Sequence, residues 1–126
     1  TDMMEEIRLA TLIHKGTSED PEVLNAETAL TLSTINVAKA AGLDKMIGSL
    51  EVGKKADLIM LDLNRPATTP IYNLYSTIVY AAHSAQITSS MVNGKWLMRD
   101  REILTINESE TLTEANELAH FIKTNL

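Results

Sequence analysis

Cysteine is absent from the 126-residue sequence. Disulfides, thiolate metal sites and a cysteine nucleophile are excluded with it, and the absence fits a reducing, cytoplasmic location, which is the expectation here. Aromatic residues are nearly as scarce, with one Phe, one Trp and three Tyr, so a core has to be aliphatic. Positive charge is in deficit: 11 Lys and Arg stand against 17 Asp and Glu, a formal net charge of −6. Such a chain has no overall attraction for phosphate backbones, and no nucleic-acid partner is expected. No Lys/Arg run offers a polybasic membrane anchor, no apolar run approaches the roughly 20 residues of a membrane span, and no signal-peptide pattern opens the chain. What is present, 44% hydrophobic and 22% charged residues, is the composition of a globular domain.

The element order reads helix, helix, strands, helix, hairpin, helix. Residues 2–15 carry Met3, Ile7, Ala10 and Ile13 at helical spacing, with Asp2 as N-cap and Gly16 as the stop. Residues 26–41 follow Asn25 with a small-residue stripe of Ala26, Ala29, Leu30, Ser33, Val37 and Ala41, and end at Gly42. Ala56 to Leu63 has a continuously apolar interior bounded by Asp57 and Asp62, the pattern of a strand covered on both faces. Pro70 at a first helical position and Ile71, Leu74, Tyr75, Ile78, Val79 and Ala82 predict a helix over 70–82. Ile87 to Val92, the dipeptide Asn93-Gly94, and Lys95 to Arg99 predict a β-hairpin, because Asn and Gly both tolerate positive φ. A turn at Asp100-Arg101, a short extended piece and a helix over 108–125 capped by Asn107 complete the chain. Two helices precede every strand, and the chain opens on Thr1-Asp2 directly at a helix cap. Both features lead to the expectation of a fragment cut from a longer protein, whose small-residue face and apolar first helix are left exposed or covered by self-association.

Candidate chemistry is sparse. His14, His83 and His120 form neither a His-x-His pair nor an i, i+4 pair. His14 and His83 read as helix-end residues beside the last carbonyls, and His120 as solvated. Asp57 and Asp62 at the strand ends read as acceptors of backbone amides that fix turns. No serine lies in a Gly-x-Ser-x-Gly context. Gly48 to Gly53 lacks the Gly-Lys-Ser/Thr ending of a phosphate loop, and Lys54-Lys55 is an isolated pair. No catalytic, cofactor-binding or metal-ligating residue is assigned.

The stretch Thr34, Asn36, Ala38, followed by Gly48-Ser49-Leu50-Glu51-Val52-Gly53-Lys54-Lys55-Ala56-Asp57-Leu58, resembles a hallmark of the amidohydrolase superfamily. The first part corresponds there to the last helix of a metal-bearing (β/α)8 barrel, the second to the exit into a small β-sandwich shared by both termini. Asp2 to Lys15 is similar to the segment that follows the last metal-binding Asp in deaminases of this group, and 75–95 to their closing helix and hairpin. The likeness is greatest to S-adenosylhomocysteine/methylthioadenosine deaminases and atrazine-type chlorohydrolases. Where many relatives carry Gly after Asp in the last turn, this chain has Arg101.

The resemblance implies an α+β fragment: final barrel helices (1–46), the C-terminal half of the sandwich with an inserted helix at 70–82 (47–105), and a C-terminal helix (106–126). It implies a full-length enzyme that deaminates an aminopurine nucleoside or a related ring with water activated by zinc or another divalent metal such as iron. The metal ligands belong to upstream barrel strands, so this chain is expected to bind no metal, to lack activity alone, and to take the remainder of the barrel as its partner. A homo-oligomer is expected, with the 70–82 helix and the hairpin at its interface. Small-molecule substrate enters only the complete enzyme. The alternative is an independent α+β module that binds a partner and does no chemistry.

Overall fold

A computed structural model describes residues 2–125. Helix α1 (Met3–Ser18) starts where expected, the Asp2 carboxylate accepting the amides of Met4 and Glu5. It does not stop at Gly16. It runs a further half-turn to Ser18 and ends on Glu19 at φ 54°. The hydroxyls of Thr17 and Ser18 bond back to the carbonyls of Ile13 and His14, which carries the helix past the glycine.

Helix α2 (26–40) begins on Asn25, whose side chain accepts the Thr28 amide. It consists of Ala26–Thr31, a π turn at Leu32–Asn36 and Val37–Ala40. The π turn inserts one residue into the helical phase. The inward face set by Ala26 and Ala29 therefore returns at Ala38, 3% exposed, and not at Val37, 59% exposed. Ala26 and Ala29 are buried within this chain, so the expectation that the small-residue face stays open does not hold. The apolar first helix does stay open: Met3, Leu9, Leu12 and Ile13 are exposed.

The sheet is a four-stranded antiparallel meander, β1 (Leu58–Leu61), β2 (Ile87–Val92), β3 (Lys95–Arg99) and β4 (Glu102–Ile103), in that spatial order. β1 is shorter than expected and is not covered on both faces, since Ile59 and Met60 are each 51% exposed. The hairpin bounds are those expected, with Asn93 at φ 51° and Gly94 at φ 75°. Asp100 and Arg101 repeat that left-handed pair at φ 50° and 71°.

The helix expected over 70–82 is shorter. Helix α3 (74–81) is Leu74–Ser76 followed by a π turn, Thr77–Ala81. Asn73 takes the N-cap, its side chain accepting the Ser76 amide, so the helix starts at Leu74 and not at Pro70. α3 crosses α1 and α2, and with Val79 and Ala82 it joins Met4, Ala26 and Ala29 in the core. Helix α4 (Glu108–Asn125) is capped by Asn107, and none of its residues is buried.

Candidate functional site

Two polar networks and one cleft stand out. Arg8 lies one turn into α1 with a largely buried side chain. Its Nε donates to the Val79 carbonyl at 3.3 Å and its Nη2 to the Ala82 carbonyl. Its Nη1 meets Glu5 at 2.6 Å and lies 3.3 Å from His83 Nδ1. The guanidinium thereby satisfies carbonyls at the end of α3 that helix geometry leaves free. Beside it, the Ser84 hydroxyl, assisted by the amides of Glu5 and Met4 and the charge of Arg8, holds the Asp2 carboxyl below its ordinary value. Arg8 is the charge that joins α1 to the end of α3, while Glu5 and Asp2 also serve α1 itself.

The second network closes the loop after α2. Lys54 Nζ donates to Ser49 Oγ at 2.6 Å and lies 3.1 Å from Glu51 Oε1, while the Ser49 hydroxyl donates to the same carboxylate. The Ser49 bond, then Lys54, lowers the Glu51 pKa. A serine beside a lysine can be a nucleophile and its base only if the amine is free to take a proton. Here Lys54 is engaged by the Glu51 carboxylate and the serine hydroxyl donates to that same carboxylate, so the trio is a loop clamp. Gly48, at φ +91°, sits where a Cβ would fall 2.7 Å from Ala38 Cβ and 3.0 Å from Ile35 Cα, so the loop presses against the π turn of α2.

Between α2 and the sheet lies an open cleft of about 700 Å³, lined by Ser33, Val37, Leu43, Leu50, Leu58 and Met91 among others. Its one carboxylate, Asp57, accepts the Asn93 amide and braces the hairpin turn. Asp62 likewise accepts the Asn64 amide at 3.0 Å and pairs with Arg65 at 2.6 Å. Both aspartates fix turns, as their strand-end positions suggest. The cleft is an apolar packing surface without a reactive group.

The three histidines are not brought together. His14 is exposed within α1, and because the helix continues past it the ring is not at the helix end as expected. His83 is exposed, its amide donates to Gln86 Oε1, and its ring faces Arg8. His120 is exposed on α4. Among the described residues no group of three or more His, Asp or Glu side chains could hold a metal ion. No helix among them is long and apolar enough to cross a membrane. The Arg8 hub escaped the sequence reading because its partners lie more than 70 residues away. Of the Lys54 clamp the sequence showed only the isolated basic pair Lys54-Lys55 after Gly53.

The model of the amidohydrolase family matches residues 1–97. The 5-methylthioadenosine/S-adenosylhomocysteine deaminase 1 of Syntrophus aciditrophicus is 37% identical over 125 residues, covering 99% of this chain and 28% of that protein. A crystal structure of an adenosine deaminase from Xanthomonas campestris with bound zinc is 34% identical, with a TM-score of 0.90 over 97% of this chain and 28% of the other. Atrazine chlorohydrolase from Arthrobacter aurescens complexed with zinc shares the fold at TM-score 0.79, with 20% identity over 91% of this chain and 26% of that one. The chain thus spans little more than a quarter of the length of the proteins it matches.

Proposed function

The chain belongs to the amidohydrolase family, and from that membership we propose that it is the C-terminal segment of a metal-dependent enzyme that hydrolytically deaminates an aminopurine nucleoside of the methylthioadenosine or S-adenosylhomocysteine type. The observation that carries the reading is the end-to-end likeness to deaminases, 99% of this chain against 28% of the relative. That likeness disfavours an independent partner-binding module. Residues 1–46 supply the final helices of the barrel, 47–105 the C-terminal half of the sandwich and 106–126 the closing helix. Met3, Leu9, Leu12 and Ile13 on α1, and Ile59 and Met60 on β1, are the apolar surfaces such an assembly covers.

Among the described residues no group of three or more potential ligands is placed to hold a divalent metal. The zinc, or a similar ion, that the family implies is held by residues outside this chain. The segment's own work is to brace. Arg8 locks α1 to the end of α3, and the Lys54 clamp sets the loop between α2 and the sheet.

The test is ammonia release by the full-length, metal-loaded gene product from 5′-methylthioadenosine, S-adenosylhomocysteine, adenosine and guanine. Turnover of at least one aminopurine nucleoside, lost on chelation and regained with zinc, is expected. Metal-loaded protein that releases ammonia from none of them overturns the proposal. The 126-residue chain alone is expected to give no turnover.

A further inference from the structure

We propose that Asn93 is a self-modification site, held unreactive by a bracket that Ala56 and Asp57 place on the hairpin turn, and converted to aspartate and isoaspartate when that bracket opens. Of the eight asparagines in the sequence, Asn93 is the one followed by glycine. Each of the others precedes a residue whose side chain crowds the amide nitrogen that would have to react. Asn93 and Gly94 are both exposed, so water reaches them. The chemistry needs only water. The Gly94 amide nitrogen gives up its proton and attacks Cγ of Asn93. A bond forms between that nitrogen and Cγ, the bond from Cγ to the side-chain nitrogen breaks, and ammonia leaves with the proton. The cyclic imide then takes up one water molecule. Opening at Cγ gives aspartate, and opening at the main-chain carbonyl gives isoaspartate.

Three features of the fold oppose the first step. Asn93 at φ 51° lies in the left-handed region, where ψ is about +47°. That rotation turns the Gly94 nitrogen to the side opposite Cβ, away from Cγ. The Gly94 amide donates to the Ala56 carbonyl at 3.0 Å, so it must surrender a hydrogen bond before it can lose its proton. The Asn93 amide donates to the Asp57 carboxylate, which holds the turn against the rotation that ring closure requires. Both acceptors belong to the segment that leads into β1, not to the hairpin. The turn's reactivity is therefore set by a tertiary contact, and the reaction proceeds from a locally opened state.

The product does not fit the corner it came from. Isoaspartate adds a methylene to the main chain inside a two-residue turn, so the Val92 and Lys95 pairing can no longer close as it does now. Leu58, Met91 and Val92, which wall the cleft beside the sheet, are disturbed with it. Ammonia is lost, so the change is not undone when the bracket closes again, and each opening carries a chance of permanent damage. The proposal stands independently of the deaminase reading.

The experiment uses the full-length protein, incubated at mildly alkaline pH either folded or in guanidinium chloride, then digested in acid. Mass spectrometry follows the peptide that holds residue 93 for replacement of the amide nitrogen by oxygen, and elution separates aspartate from isoaspartate. Asn93 is expected to convert many-fold faster in the denaturant. In the folded protein Asp57→Ala is expected to speed conversion several-fold, while Asp62→Ala, which removes the turn carboxylate at the other end of β1, leaves the rate unchanged. Thermal melting checks that both variants are folded during incubation. If Asp57→Ala does not fold, hydrogen exchange of the wild type decides, with the Gly94 amide expected to exchange far more slowly than in the unfolded chain. Equal conversion in folded and unfolded protein overturns the proposal, as does no conversion in the denaturant. A folded Asp57→Ala protein that converts at the wild-type rate, an equal acceleration by Asp62→Ala, or a Gly94 amide that exchanges at the unfolded rate overturns the bracket.

Discussion

Arg8 shows how one side chain can define a junction. It reaches two carbonyls at the end of α3 and a carboxylate on its own helix. Hydrogen bonds to a charged donor contribute about 1.5–3 kcal/mol each, and an abandoned buried carbonyl costs further. Arg8→Ala is expected to destabilise the full-length protein by about 3 kcal/mol, read by denaturant melting. Arg8→Lys is not expected to rescue it, because an ammonium cannot serve the same fork of acceptors. At Gly48 the constraint is space and φ together. Gly48→Ala pushes a methyl to 2.7 Å from Ala38 Cβ, and a loss of about 2 kcal/mol is expected, as for other overpacked sites. Arg101 carries the opposite sign. Its φ of 71° strains a non-glycine residue by roughly 1–2 kcal/mol, while its Nη1 gains an exposed bond to the Ala85 carbonyl at 2.6 Å. Arg101→Gly is expected to raise stability by about 0.5 kcal/mol, since an exposed hydrogen bond contributes less than the strain costs; a fall in melting temperature contradicts this. Asp2 brings a pH dependence. Its pKa is lowered on folding, so its contribution is present above its unfolded value and is lost as pH falls through the folded one. Asp2→Asn is expected to flatten the loss of stability below about pH 4, as followed by acid titration of helical signal.

At the scale of elements, the sequence was most legible where a single local interaction decides. Asp2, Asn25 and Asn107 cap α1, α2 and α4 where the side chain and spacing say they should. The Asn93-Gly94 hairpin has the predicted bounds because two left-handed residues leave one turn type. Where two local signals compete, position alone did not rank them. Pro70 and Asn73 can each open α3, and the side-chain cap of Asn73 sets the boundary. Asn73→Ala is expected to cost about 1 kcal/mol, the usual loss of an N-cap, measured by thermal melting. The π turns in α2 and α3 had no signal in the periodicity. The one in α2 shifts the buried face by one residue, from Val37 to Ala38, and that choice is made by what the next helix needs to touch.

For the molecule as a whole, the apolar outer faces of α1, β1 and α4 lack cover among the described residues. The isolated chain is therefore expected to self-associate or bind a hydrophobic dye strongly, and a monodisperse, dye-silent monomer contradicts that. The family was legible in the residues from Thr34 to Leu58, and so were most elements, because caps, turn residues and apolar spacing act within a few residues of each other. The sequence also indicated that Asp57 and Asp62 serve turns. Packing in three dimensions was needed to put Ala38 and not Val37 inward, to bring Arg8 to the end of a helix 70 residues away, and to fill the Ala26 and Ala29 face from within. Those outcomes depend on which surfaces meet, and the free energy of burying a face or satisfying a distant carbonyl is settled by elements that local sequence does not see.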